Sequence, residues 1–351
     1  SDDIIIGKYD KLYSKILNEE RTLLVSLPDG YEGSLGKYPV LFLLDGNVSA
    51  LSEMYSISRS IGYSSLPPMI IVAIQNTDRN RDMIPGPEKE GAVKFLKFLS
   101  DELIPYIEEN YRAINYRIIY GASNAGLFVV YSLLEKQDAF SAFLTSSPTI
   151  IWAHDYMVDK VKKLSVAPGV MDKFLYIIYA DNEWPKVRDT LNTFIPRLES
   201  LKHKGLQLQS NFLPDEGHVP VNSLFKGLMS LFEGYEYPDE KRRNEGLDSL
   251  KFYYDRFSKN IGYKVKYPFM ALMGLGQGLL FANKSDEAIE VFKLFSQNYP
   301  EDIYGDIMLA IAYYKNDNME LSKKYFLKAK KNKQLEIPPF PEWSEMETKF
   351  K

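Results

Sequence analysis

The sequence has no cysteine. That excludes a thiol nucleophile, a disulfide framework and cysteine-ligated zinc. It leaves the compartment open, because exported proteins also do without disulfides. Histidine is nearly as scarce, with three among 351 residues, so each can be weighed singly as a catalytic base. No apolar run approaches the about 20 residues of a membrane-spanning helix. The opening residues do not read as a signal peptide, and a bacterial periplasm or exterior and the cytoplasm both stay open as locations. No block of basic residues is present: 43 basic residues stand against 47 acidic ones, for a net charge of -4. Nucleic acid is therefore not an expected partner. What is present is 45% hydrophobic and 14% aromatic content, enough for a substantial core. The length suits one large domain with an appendage, or two domains.

From about residue 20 to 235, short apolar runs alternate with amphipathic stretches. Thr22–Leu27, Val40–Leu44, Met69–Ile74, Arg117–Tyr120, Phe174–Tyr179 and Leu206–Leu213 read as strands. The middle ones are apolar without alternation, as strands covered on both faces are. Ala92, Phe95, Leu96, Leu99, Leu103 and Ile107 fall on one helical stripe; Val221, Leu224, Phe225, Leu228 and Phe232 fall on another. The expectation is an α/β fold over 1–235, with a mainly parallel, doubly covered sheet. After the polar junction "YEYPDEKRRNEG" only helix patterns persist. Gly276, Ala288, Phe292 and Pro300 have tetratricopeptide-repeat spacing, and a shift of 34 residues reaches Ala310, Ser322 and Phe326. Residues 236–351 are thus expected to form a helical extension. It would hold about two TPR-like units over 269–335 and end in a Pro-rich, extended tail, "EIPPFPEWSEM".

The stretch "RIIYGASNAGLFVVYSLL" runs from a strand pattern into a helix pattern through Gly121-Ala122-Ser123-Asn124-Ala125-Gly126. A serine nucleophile is presented on such a strand-to-helix turn, with small residues two positions to either side because the turn is tight. Gly121 and Ala125 hold those positions. The helix start would aim the Asn124 N–H at a developing oxyanion. The competing reading makes Ser123 a simple helix N-cap.

A serine hydroxyl needs a base. His203 precedes Gly205 at the end of a helix pattern, where a polar residue is ordinary. His154 follows "SSPTIIWA" and comes early for the base. His218, in "LPDEGHVP", follows the last strand candidate. In hydrolases built on such a serine turn the chain order is serine, acid, histidine, with the histidine after the last strand, and His218 fits. The acid should then end the strand "FLYIIY", where Asp181 and Glu183 both stand; Asp189, inside the next helix pattern, is a third candidate. Gly46 and Asn47, after the strand "VLFLL", are placed to supply a second oxyanion donor. Alone, that segment also reads as a plain turn.

Together these residues resemble the putative-esterase family of α/β-hydrolases, with its esterase D-like, feruloyl-esterase-like and enterochelin-esterase-like members. The resemblance covers about residues 20–233. It rests on "LPDGY" with "YPVLFLLDG", "IVAIQNTDRNRDMIP", "FLSDELIPYIEENYR", "GASNAG", "SSPTIIW" and "EGH" in order. It implies serine carboxylic-ester hydrolysis with Ser123 as nucleophile and His218 as base. A Gly-x-x-Glu pattern follows the acid strand in enterochelin-esterase-like members; Ala180-Asp181-Asn182-Glu183 stands here and favours Glu183. The family's Arg-x-Arg-Asp segment matches Arg79, Arg81 and Asp82, which could border the substrate cleft or form a structural ion-pair cluster. Trp152 and Trp184 could stack on an aromatic acyl group or simply pack.

The expected reaction is acyl transfer from a small or aromatic acyl ester through an acyl-enzyme, with no metal or organic cofactor. Two rivals remain. One is an acyltransferase with the same residues. The other is a silent hydrolase fold whose helical repeats bind a peptide, and those C-terminal helices could also mediate self-association.

Overall fold

The structure, a computed structural model, describes residues 5–47, 50–62, 65–331 and 340–350. Their contacts separate two compact units. One draws on 1–28, 36–59 and 68–233, the other on 29–35, 60–67 and 234–351. The helical unit therefore takes in two short segments from the first seventy residues.

The first unit is built on an eight-stranded sheet. Its strands are β1 (Lys8–Ser14), β2 (Glu19–Ser26), β3 (Tyr38–Leu43), β4 (Ile70–Ile74), β5 (Ala113–Ala122), β6 (Ala142–Ser146), β7 (Lys173–Asn182) and β8 (Leu206–Gly217), in the order β1-β2-β4-β3-β5-β6-β7-β8. β1 pairs with β2, and β2 with β4, antiparallel; all other pairs are parallel. β3, β4 and β6 are buried at every residue, so both faces of the central sheet are covered, as the unbroken apolar runs require. The two edges, β1 and β8, carry mostly polar, exposed residues, which discourages pairing with other chains.

β1 and β6 are strands beyond the six apolar runs. In β1 the exposed edge leaves no continuous apolar signal. β6 reads "AFLTS", with Thr145 and Ser146 fully buried.

The helices of this unit are α1 (Ala50–Gly62), α2 (Arg79–Met83), α3 (Glu90–Phe98), α4 (Ile104–Asn110), α5 (Asn124–Glu135), α6 (His154–Val166), α7 (Pro185–Glu199) and α8 (Ser223–Leu231). α3 and α4 are joined by a π-type turn, Leu99–Leu103. All six residues of the stripe Ala92–Ile107 are buried. Glu102, inside the wide turn, accepts the Ser14 hydroxyl at 2.5 Å and the Lys15 N–H at 2.9 Å, which closes the β1–β2 hairpin. In the second stripe Val221 does not belong: it precedes α8 and is 67% exposed.

The helical unit contains α9 (Asp239–Asn244), α10 (Leu247–Ile261), α11 (Phe269–Phe281), α12 (Ser285–Asn298), α13 (Tyr304–Lys315), α14 (Met319–Lys330) and α15 (Pro341–Lys349). α11–α12 and α13–α14 are two successive helical hairpins. A Cβ on Gly276 would lie 2.4 Å from the Phe292 ring, so only glycine lets α11 and α12 approach this closely. The tail differs from the expected extended segment. Of "EIPPFPEWSEM", residues 336–339 lie outside the described residues, as do 332–335 of the repeat span. From Pro341 the chain is helical, and Trp343 and Met346 are buried. Pro341 begins this helix because proline lacks only an N–H that has no helical acceptor at that position.

Candidate active site

Ser123 links β5 to α5 with φ 58° and ψ -120°, a conformation that costs a non-glycine residue about 1–3 kcal/mol. Four bonds hold it there. Its N–H donates to Ser146 C=O (2.9 Å), Leu127 N–H (3.0 Å) and Thr149 N–H (3.2 Å) donate to its C=O, and its hydroxyl meets His218. A Cβ at Gly121 would fall 2.5 Å from the Ala125 carbonyl oxygen, which accounts for glycine two residues before the serine. The N-cap alternative fails on geometry: the Ser123 side chain makes no capping bond to α5. Its Oγ lies instead 3.0 Å from His218 Nε2.

His218 stands just past the end of β8, and its Nδ1 is hydrogen-bonded to Glu183 Oε1. The Glu183 side chain is fully buried, and the carboxylate also accepts the Trp184 N–H at 3.2 Å. Burial pushes the Glu183 carboxyl up, but hydrogen bonds from His218, from the Ser147 side chain and from the Trp184 N–H hold it below its ordinary value. An ionised carboxylate only accepts, so Nδ1 carries the proton, and the lone pair of Nε2 faces the serine hydroxyl. The Trp184 indole stacks on the imidazole at 4.9 Å, with 7° between the planes, while remaining 56% exposed.

Strain concentrates here. Ten described non-glycine residues have positive φ, and seven are Asn or Asp, which tolerate it. The other three are Ser123, Ser147 and Val219. Val219 directly follows His218, and its N–H donates to Ser147 Oγ at 3.0 Å.

The remaining candidates divide. Asp181 accepts the Asp215 N–H at 2.8 Å and thereby pins β8 to β7, away from the imidazole. Asp189 is a surface partner of Arg188. His154 pairs with Asp155 on the surface, and His203 caps carbonyls of Ser200 and Ser165. Asn124 is the first residue of α5, where an N–H has no intrahelical acceptor. Gly46 departs from the expected role: its N–H donates to Ile74 C=O at 2.7 Å, because the loop must cross close over β4, so that donor is already used. The Asn47 N–H turns back to Asp45 C=O, also at 2.7 Å.

Asp82 is likewise no cleft residue. It is fully buried, with Oδ2 on Arg21 (2.5 Å) and Oδ1 on Arg81 (2.7 Å). Arg81 also pairs with Glu19 at 2.8 Å, so both belong to an ion-pair cluster. Arg79 is different. It forks onto Asp45 at 2.7 and 2.8 Å and reaches Ala122 C=O, next to the nucleophile candidate, at 3.3 Å. Trp152 is 53% exposed in the short turn that follows Thr149.

Ser147, Thr149 and Asn80 also lie at the site without a signature of their own in the sequence. Thr149 Oγ1 donates to Asn124 Oδ1 at 2.6 Å, and Asn124 Nδ2 donates to Asn80 Oδ1 at 3.2 Å. Ser147 and Thr149 lie inside "SSPTIIW" and Asn80 inside "DRNRD". Segments of this kind carried the resemblance, but nothing in them showed which side chains bond the residues beside Ser123 and His218.

The family model described as "Putative esterase" matches residues 14–190, just over half of the chain. The chain belongs to this family. It is a carboxylic ester hydrolase, acting on a small-molecule ester. Ferri-bacillibactin esterase BesA of Bacillus subtilis (strain 168) is 29% identical to this esterase over 238 residues, covering 58% of this chain and 82% of BesA. An IroE-like serine hydrolase from Shewanella oneidensis superposes with TM-score 0.70 at 26% identity, covering 83% of this chain and 99% of its own. An uncharacterised protein from Capnocytophaga ochracea, at 17% identity and TM-score 0.60, covers 98% of this chain and 99% of its own, so its fold parallels nearly the whole esterase. The fold is that of the α/β-hydrolases followed by an all-helical segment. No helix among the described residues is long and apolar enough to cross a membrane.

Proposed function

We propose that this esterase works through a serine acyl-enzyme. His218 Nε2 takes the proton as Ser123 Oγ attacks the ester carbonyl carbon, and Glu183 fixes the imidazole tautomer and balances its charge. The Asn124 N–H faces the oxyanion, joined by the Asn47 N–H once it leaves Asp45 C=O. The alcohol departs with the proton from His218, and water then attacks the acyl-enzyme by the same steps. The observation that carries this reading is the chain of contacts Ser123 Oγ to His218 Nε2 to Glu183.

Ser123→Ala should remove turnover of p-nitrophenyl acetate by at least about 10⁴-fold with an unchanged melting temperature. The wild-type chain should be labelled at Ser123 by a fluorophosphonate. Residual activity near wild type, or labelling elsewhere, would sink the reading.

For substrate, the open outer face of Trp184 supports a small or aromatic acyl ester. The name of the BesA relative supports a second reading, an ester bond in an iron-siderophore. Comparing kcat/KM for ferri-bacillibactin with that for aryl acetates separates the two. The helical unit from residue 236 we read as an extension carrying two TPR-like hairpins. Gly276 set against Phe292 and the Ser322 hydroxyl bonded to Ala310 C=O support that reading. Turn residues Asn283 and Asp317, both with positive φ and 34 positions apart, support it as well.

A further inference from the structure

We propose that the α2 turn is a brace for the oxyanion side of this site, with Arg79 as its positioning residue. The proposal rests on the Ser123 reading above. α2 reaches the serine turn on both flanks. Arg79 Nη2 donates to the carbonyl of Ala122, one residue before Ser123, at 3.3 Å. Asn80 Oδ1 accepts from the side chain of Asn124, one residue after it, at 3.2 Å. The same guanidinium forks onto Asp45 through Nε and Nη2 at 2.7 and 2.8 Å, and Asn76 donates to Asp45 as well, at 2.6 Å. Asp45, itself at φ 56°, opens the loop that carries the Asn47 N–H. One planar cation thus ties together the two backbone segments that would bind the oxyanion.

The brace has its own footing. Arg81 and Asp82, on the same turn, are fixed to Glu19 and to the fully buried Arg21 of β2, whose guanidinium lies over Phe95 and Phe98. The backbone at Ser123 is strained, so without lateral support it can relax, and Asn124 N–H would shift with it. A displacement of about 1 Å at a reacting centre can cost about 10²-fold in rate. Lysine cannot replace the brace, because a single ammonium cannot fork onto a carboxylate and reach a carbonyl in one plane.

The test uses the full chain with Arg79→Gln, Arg79→Lys and Asp45→Asn. For p-nitrophenyl acetate kcat should fall about 10- to 100-fold, with KM within about threefold. Affinity for phenylboronic acid, which bonds to the serine as a tetrahedral mimic, should weaken by the same factor as kcat/KM. Affinity for 4-nitroacetanilide, the amide analogue of the substrate, should not change. Arg79→Gln combined with Asp45→Asn should lose no more than the worse single variant, because both remove one device. If the Arg79 variants do not fold, Asn80→Ala, which removes the lighter strut, should show the same split with about a threefold fall in kcat. Unchanged kcat in folded variants would overturn the proposal, as would equal losses of boronate and amide affinity. Wild-type chain that a fluorophosphonate fails to label at Ser123 would sink the serine reading itself. Labelled wild type with fully active Arg79 variants would sink the brace alone.

Discussion

In the sheet unit the residues that meet at the site come from far apart. Ser123 and His218 are 95 positions apart, and Glu183 and His218 are 35 apart. In the helical unit the deciding contacts are local: Ser322 bonds Ala310, 12 positions away, and Gly276 faces Phe292 across one hairpin. The backbone follows the same division. Positive φ at Ser123, Ser147 and Val219 is sustained by tertiary hydrogen bonds, whereas Asn283 and Asp317 occupy hairpin turns that suit them. Long-range closure lets a fold hold strained groups where chemistry needs them. Short-range hairpins store little strain and build up by repetition.

Three changes would break or sharpen this contrast. The largest effect is expected at the buried carboxylate. Glu183→Gln should lower kcat about 10³- to 10⁴-fold by removing the charge that fixes the His218 tautomer. Asp181→Asn, two residues earlier and still on β7, should stay within about threefold. Equal losses in p-nitrophenyl acetate turnover would erase the distinction between a site carboxylate and a strand clasp. Next comes the helical unit. Phe292→Ala should destabilise the chain by about 3–5 kcal/mol in urea unfolding, while kcat of the folded protein stays within about twofold. A large fall in kcat would mean that the local unit shapes the site.

The smallest effect is a pH dependence. Burial, aided by the Asp45 charge, raises the Glu53 carboxyl to about 7. Its folded value lies above its unfolded one, so the associated stability is full below about pH 4.5 and is lost as pH rises through about 7. Glu53→Gln should therefore stabilise the protein by about 2–3 kcal/mol at pH 8 and hardly at all at pH 4.5. Melting curves at the two pH values check this. Stabilisation of the same size at both would refute the titration.

Much of the sheet was legible because buried parallel strands must be apolar throughout: Val40–Leu44 and Met69–Ile74 lie on β3 and β4. β1 was not, since an exposed edge strand has no apolar signature. Nor was β6, where the fully buried Thr145 and Ser146 interrupt the apolar run. At the site, scarcity made His218 legible, because three histidines allowed elimination. Chain order left Asp181 and Glu183 open, the family resemblance favoured Glu183, and the structure brings the Glu183 carboxylate to the imidazole. For Asp82 and Gly46 the sequence left two readings open, because a motif fixes residue types while the partners that use up a carboxylate or an N–H come from β2 and β4, distant in sequence.

By itself the sequence determined the alternation of strand and helix, the strand-to-helix bend at Ser123, the short list of bases and the all-helical character of the segment near the end. Each of these depends on residues close together along the chain. Tertiary structure alone decided that the Gly46 N–H is spent on Ile74 C=O, that Asp82 is locked against Arg21 and how Arg79 spans two loops. Those outcomes depend on angles between segments that touch only after the sheet has closed.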